Sequence, residues 1–198
     1  MRIRNKILCA LLVAGVCCLT AASGCGEGNV TKEEQETQGN IPAADSGTLG
    51  EFSMQDIDGE SYTQEMFADY DLTMVNIFAT WCSPCVSEIP DLQELSEEME
   101  GRGVGVVGIV LDGVDIDGNV DEEAVGTAKI LAEQTGAKYP FLIPDEKVLN
   151  GRLAEVNAVP ETFFVDSEGK IVGETYTGSR SLEEWKEIVE TELKGVAQ

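Results

Sequence analysis

Nine residues, Leu72 to Thr80, read Leu-Thr-Met-Val-Asn-Ile-Phe-Ala-Thr and are apolar almost throughout. A run this short, bounded by polar chain, fits a strand buried on both faces; a half-exposed strand would alternate. Burial on both faces demands a layer above the sheet and another below. The chain supplies one of them next. Val86, Ile89, Leu92, Leu95 and Met99 recur at helical spacing with Glu94, Glu97 and Glu98 between them, and Gly101 and Gly103 follow. An amphipathic helix is expected there, then a second apolar strand from Val104 to Leu111.

The flanks extend the pattern. Phe52, Met54 and Ile57 lead to Asp58-Gly59 and on to Ser61-Tyr62, which predicts an N-terminal hairpin, with a short helix near 65–70. Further helices are expected from Asp121 to Thr135, closed by Gly136, and from Lys147 to Val156, with a short strand at Phe141 to Ile143 between them. Thr162 to Val165, the turn Asp166-Ser167-Glu168-Gly169 and Lys170 to Tyr176 make a hairpin. Ser181 and Glu184 form a capping box ahead of a last helix carrying Trp185, Ile188, Val189 and Leu193. This order predicts an α/β sandwich with a mixed central sheet, in one domain over 49–198.

Residues 1–24 read as an address. Arg2, Arg4 and Lys6 precede an apolar run from Ile7 to Leu19 and the small residues Ala21 to Gly24, the layout of an export signal. The run is short of the ~20 residues that a membrane-crossing helix needs. Ala22-Ser23-Gly24-Cys25 is similar to a bacterial lipoprotein signal, in which the cysteine is acylated, although Leu is usual where Ala22 stands. Residues 25–48 then read as a lipidated cysteine and a disordered tether, rich in Gly, Glu, Gln, Asn and Thr. The domain is therefore expected outside the cytoplasm, held to the bacterial cell membrane through lipid on Cys25.

Composition removes whole classes of function. Thirteen Lys and Arg against 37 Asp and Glu leave a formal charge of −24. No basic face is available to neutralise phosphates, so nucleic acid is excluded as a partner. Histidine is absent, which removes the usual general base and the commonest zinc ligand. Of six cysteines, Cys9, Cys17 and Cys18 belong to the signal and Cys25 to the anchor, leaving Cys82 and Cys85 in the fold. That pair closes too small a loop to staple a domain. It also lacks the second pair that a four-ligand zinc site requires, so no metal and no cofactor are implied.

Trp81-Cys82-Ser83-Pro84-Cys85 falls where the apolar strand gives way to the helix. Cys82 is thereby placed at a helix N-terminus, where unpaired N–H groups and the macrodipole favour an anion, and its thiol is expected to ionise more readily than that of free cysteine. Two intervening residues let the sulfurs meet within one turn. Pro84 fits the first turn, where no N–H is needed. The pattern predicts Cys82 as an attacking thiolate and Cys85 as the resolving thiol of disulfide exchange, with Trp81 a partly exposed platform beside them.

These residues resemble a known family. The run NIFATWCSPCVSEIP, Asn76 to Pro90, with AVPETFFVDSEGKIV, Ala158 to Val172, resembles thioredoxin-like proteins, and among them the membrane-tethered disulfide reductases of the TlpA and ResA type. The likeness spans roughly 50–193. It implies a thioredoxin-like three-layer sandwich with an N-terminal hairpin extension and a TlpA-type strand–helix insertion around Lys138 to Val156. It also implies a kinking proline at Pro90 and a cis-proline at Pro160, with the Val159 backbone beside the cysteines and open to an extended substrate segment. Thioredoxins carry a buried acid on the strand where this chain has Asn76. The resembled subgroup places a Glu three residues after the second cysteine, which here is Glu88, expected to be partly buried and to exchange the resolving thiol's proton. Thr commonly follows the proline; Glu161 stands there instead, and it is open whether it raises the thiolate's pKa, selects basic targets or faces water. The implied partners are disulfide-containing exported proteins, such as apocytochrome c or methionine sulfoxide reductases, with a CcdA-type membrane thiol transporter as electron donor.

Two other functions compete. A thiol peroxidase needs Thr three residues before its reactive cysteine, but Ala79 precedes Cys82 and Cys82 precedes Cys85 at that distance. A non-catalytic lipoprotein binding module would leave the cysteines incidental. Asp112, Asp115, Asp117, Asn119 and Asp121 crowd one loop, yet counted from Asp115 a calcium loop would need Gly at Val120 and Glu at Gly126. A solvated acidic loop is expected.

Overall fold

A computed structural model describes residues 47–196. The expected export signal, the expected lipidation at Cys25 and nearly all of the expected tether fall outside the described residues. The last two tether positions do not: the Gly47 carbonyl accepts from the Ile171 N–H at 2.7 Å and Thr48 bridges Lys170, so the chain is already docked there.

Seven strands form one mixed sheet. In chain order they are β1 (Ser53–Asp56), β2 (Ser61–Thr63), β3 (Leu72–Phe78), β4 (Val104–Val110), β5 (Phe141–Ile143), β6 (Glu161–Asp166) and β7 (Ile171–Thr177), and across the sheet they run β2-β1-β5-β4-β3-β6-β7. β3 is central, parallel to β4 with Leu72 opposite Val104 and Phe78 opposite Val110, and antiparallel to β6 with Ile77 opposite Glu161. Every residue of β3 and of β4 is buried, as the unbroken apolar runs require. The N-terminal hairpin β1–β2 joins the sheet through the short inserted strand β5, which bridges it to β4.

Side chains of β3 alternate between two cores. Met74 and Phe78 pack with Ile89, Leu92 and Leu95 of α1 (Ser83–Met99), Val125 and Ala128 of α2 (Glu122–Thr135), and Trp185 and Val189 of α4 (Leu182–Val196). Val75 and Ile77 pack on the other face with Phe67, Val148, Leu153 and Phe163. That second face is covered by smaller pieces: a 3-10 turn at Gln64–Asp69, where a short helix is predicted, and α3 (Glu146–Asn150). The helix expected from Lys147 to Val156 is two elements, because the chain leaves helical geometry at Gly151 (φ −94°, ψ −112°) before a 3-10 turn at Arg152–Glu155. Gly108 has a packing reason: a Cβ there would lie 3.0 Å from the Phe141 ring and 3.1 Å from the Phe78 ring, the edge-to-face pair that seals β4 beneath the helices.

The start of α4 departs in detail from the expected box. Glu184 accepts both the Ser181 N–H at 2.9 Å and the Ser181 hydroxyl at 2.7 Å, so the hydroxyl serves the carboxylate instead of a backbone N–H. The opposed directions of β3 and β6 decide where the chemistry sits. The end of β3 and the beginning of β6 meet at one edge of the sheet, which brings residues 159–161 beside residues 79–85 although about 80 residues separate them.

Candidate active site

β3 ends at Phe78, and four residues later Cys82 serves as the N-cap of α1, in extended geometry (φ −84°, ψ 101°). Its sulfur accepts from the Cys85 N–H at 3.3 Å, one of the donors that a helix start leaves unpaired. Cys82 and Cys85 are joined in a disulfide, with Cα atoms 5.3 Å apart. Both sulfurs are largely covered, but Cys82 is 5% exposed against 1% for Cys85. Cys82 is the one an incoming sulfur meets first. Pro84 lies exposed in the first turn, and Pro90 sits inside α1. Trp81 stands out from the surface, 73% exposed.

The Val159–Pro160 peptide is cis, and the Val159 carbonyl oxygen lies 3.7 Å from the Cys82 sulfur. Joined to Cys85, that sulfur has no hydrogen to donate; once reduced, a thiol there faces an acceptor. Val159 is half-buried and Pro160 buried.

Glu88, one turn along α1 from Cys85, is 2% exposed. Its carboxylate takes three donors: the Asn76 amide at 3.0 Å, the Arg180 backbone N–H at 3.2 Å and the Trp185 indole N–H at 3.3 Å. Asn76 also donates to the Thr162 hydroxyl at 3.0 Å, which ties β3, β6, α1 and α4 into one polar knot. Burial pushes the Glu88 carboxyl above the usual carboxylate range, and the three hydrogen bonds with the nearby Arg180 charge offset part of that rise. The Arg180 guanidinium lies over the Trp185 ring at 5.1 Å and the Tyr176 ring at 5.2 Å.

Glu161 does not face water. It is 8% exposed and meets Arg152 at 2.7 Å, with both side chains about nine-tenths buried; Arg152 in turn lies 4.6 Å above the Phe163 ring. A carboxylate already held by a guanidinium is not free to recruit a basic target. The acidic loop after β4 is likewise more than a solvated loop. Asp112 accepts the Thr80 N–H at 3.0 Å and the Thr80 hydroxyl at 2.6 Å, Asp115 closes a turn on Asp117 and Asn119, and Asp121 caps α2. Sequence reasoning missed Arg152, Arg180, Trp185 and Thr162 as part of this site. The scarcity of cations was the available hint: in so acidic a domain each arginine has its choice of carboxylates, and two of the few lie shortly before and after the hairpin β6–β7.

A surface cavity of about 820 Å³ lies elsewhere. It is lined by Asp71, Arg102, Asp166 and Glu192, at the opposite end of β3 from Cys82. None of the residues lining that cavity belongs to the Cys82–Cys85 site.

The comparisons agree with this chemistry. A family model described as the AhpC/TSA family matches residues 48–173. The chain is 28% identical over 145 residues to the thiol-disulfide oxidoreductase ResA of Geobacillus thermodenitrificans, 73% of this chain and 75% of that protein. It is similar to the crystal structure of a thiol:disulfide interchange protein of the thioredoxin family from Chlorobium tepidum, with a TM-score of 0.59 and 26% identity over 77% of this chain and 95% of that one. It is also similar to the exposed lipoprotein thioredoxin Etrx1 of Streptococcus pneumoniae, with a TM-score of 0.53 and 25% identity over 71% of this chain and 98% of that one.

Two outcomes follow from the buried charges. A carboxyl with a raised pKa in the fold binds more protons folded than unfolded between its unfolded value, near ~4.3, and its folded value, so stability falls as pH rises through that window. Glu88→Gln keeps the volume, and Asn76 can turn its amide over to accept from the new donor. The stability of the wild-type protein minus that of Glu88→Gln, from denaturant titrations, is expected to decline as pH rises above about 4; a flat or rising difference would contradict the raised carboxyl. Arg152→Leu strips Glu161 of its counter-charge and is expected to cost about 3 kcal/mol, more than the double variant Arg152→Leu/Glu161→Leu. Equal costs in the same titration would deny the pair that role.

Proposed function

The chain belongs to the AhpC/TSA family, and we propose that it is a reductase of disulfides in exported proteins, with Cys82 as attacking sulfur and Cys85 as resolving sulfur. The class of chemistry is not in question: this is a thiol-disulfide oxidoreductase of the ResA type with a redox-active Cys-x-x-Cys pair. The single observation behind the assignment of roles is the asymmetry of that pair. Cys82 caps the helix at the surface beside the Val159 carbonyl, and Cys85 lies beneath it, one turn from a buried acid.

In the reduced protein the Cys82 thiolate, favoured by the N-terminal N–H groups of α1, attacks one sulfur of the target disulfide. A mixed disulfide forms, and the other target sulfur leaves as a thiolate and takes up a proton. Cys85 then loses its proton, attacks Cys82 and releases the second target thiol. The target gains two electrons and two protons, and the protein ends as the disulfide seen here. Glu88 is the proposed acceptor of the Cys85 proton, directly or through one water, since residues three apart on a helix have Cβ atoms about 5–6 Å apart. Its raised pKa suits a group that must take a proton and return it. The Val159 backbone, ahead of Pro160, offers an extended target segment a partner in the manner of an added strand, and exposed Trp81 and Pro84 flank its path.

The direction and the setting rest on the resemblance to TlpA- and ResA-type reductases and on the export signal. Fitting targets are apocytochrome c and exported methionine sulfoxide reductases, and the electrons would come from a CcdA-type membrane thiol transporter. Lipid on Cys25 would hold the protein to the membrane, a reading supported by the Ser23-Gly24-Cys25 sequence and by the likeness to the exposed lipoprotein thioredoxin Etrx1. A peroxidase reading gains nothing from the site, where Ala79, fully buried, stands in the place of the required hydroxyl.

Cys85→Ser in the full chain is expected to accumulate mixed disulfides on Cys82 in cells, and Cys82→Ser to accumulate none and to lose insulin-disulfide reduction by more than about a hundredfold. Mass spectrometry of the trapped species names the targets; trapping through Cys85 in the Cys82→Ser protein would reverse the assigned roles. Incorporation of labelled palmitate is expected to vanish in Cys25→Ala, and its persistence would sink the anchor.

A further inference from the structure

Four large apolar side chains are exposed among the described residues, and three of them lie on the two loops that leave the sheet edge carrying the disulfide. Trp81 is 73% exposed, Ile116 fully so and Val120 50%, whereas Ile130 lies apart on α2. Trp81 belongs to the loop that leaves β3 and Ile116 and Val120 to the loop that leaves β4, and these parallel strands end side by side at Phe78 and Val110. The loops are stitched together where Asp112 binds Thr80, the residue before Trp81. Ile116 follows Asp112 by four residues, which extended chain spans in at most about 14 Å. All three side chains therefore fall within the footprint of about 800 Å² that one partner contributes to an ordinary interface.

Single exposed apolar residues on a surface need no reason, but three beside a sulfur that must bond to another polypeptide do. The second loop holds its shape without a partner. Val114 bridges Val120, the Asp115 N–H donates to the Asn119 carbonyl at 2.8 Å and the Asp121 N–H to the Gly113 carbonyl at 2.9 Å. Ile116 is thus presented on a preformed turn, and little ordering remains to be done on binding. The two loops carry charge of one sign. Asp115, Asp117, Glu122 and Glu123 are exposed there, and neither 79–83 nor 111–121 contains a Lys or Arg.

We propose that Trp81, Ile116 and Val120 form a docking face for a cationic segment of a disulfide-bearing target protein, whose apolar side chains seat on Ile116 and Val120 while its Lys or Arg side chains meet the acidic rim. The inference deepens the reductase reading and rests on disulfide exchange at Cys82. It moves selection of basic targets away from Glu161, which Arg152 already neutralises, to a loop on the other side of the disulfide. Steering by such a rim acts mainly on the association rate and is lost to salt.

The test uses the reduced full chain and two synthetic disulfide-looped peptides that share one apolar core, flanked by Lys in one and by Glu in the other. Hydroxyethyl disulfide, small and neutral, reports the exchange chemistry alone. The Lys peptide is expected to be reduced at least about tenfold faster than the Glu peptide at low salt, and the ratio to approach one near 1 M salt, where the Debye length is about 3 Å. In Ile116→Ser/Val120→Ser, the rate on the Lys peptide relative to the rate on hydroxyethyl disulfide is expected to fall about fivefold or more. Equal rates on the two peptides, or an unchanged ratio in the double variant, would overturn the docking face. Failure of the wild-type protein to reduce hydroxyethyl disulfide would instead strike the chemistry on which the inference rests.

Discussion

A carboxylate taken out of water has to be met by donors, and the fold around Glu88 is organised by that demand. Leaving such a group unpartnered costs several kcal/mol, so each of its three hydrogen bonds is a positional constraint as well as a contribution to stability. The donors come from the central strand, from the backbone just before α4 and from the indole inside α4. Together they set how α1 lies against β3 and α4. Since Cys82 and Cys85 occupy the first turn of the same helix, the knot that satisfies Glu88 also sets where the sulfurs stand relative to the sheet. Asn76, in the place where thioredoxins carry their own acid, has become a donor to an acid supplied by the helix, with Thr162 of β6 completing its amide.

The other half of the site is delivered by sheet register. β6 runs against β3, so its first residue lands opposite Ile77, next to the end of the strand that carries the cysteine motif. The Arg152–Glu161 pair anchors this junction from below, and the Thr80–Asp112 bonds anchor the loop on the other side of the motif. Two acidic residues with no evident task in an acidic chain thereby hold the segments on either side of the disulfide.

Much of this was legible before any coordinates. The double-sided burial of residues 72–78 and 104–110, the amphipathic α1 and the hairpin β6–β7 follow from apolar periodicity and turn residues, which act over a few positions. Cys82 at a helix start is equally local, because a strand, two cysteines and a proline in sequence leave few geometries open. The expected helix from Lys147 to Val156 read less well, whereas the one before it was found as expected. Lys147 to Val156 has helical composition, and the break comes from one glycine and the need to aim Arg152 at a carboxylate nine residues on.

Sequence alone determined the α/β layering and the identity of the reacting pair, because strand burial, helix periodicity and cysteine spacing are short-range properties that each segment carries by itself. Tertiary structure decided the surroundings of that pair: which arginine neutralises Glu161, which donors meet Glu88, and that Asp112 ties the loop after β4 to Thr80. Those are contacts between segments some ten to a hundred residues apart. No local pattern encodes them, and they exist only once strand order and register have placed the segments side by side.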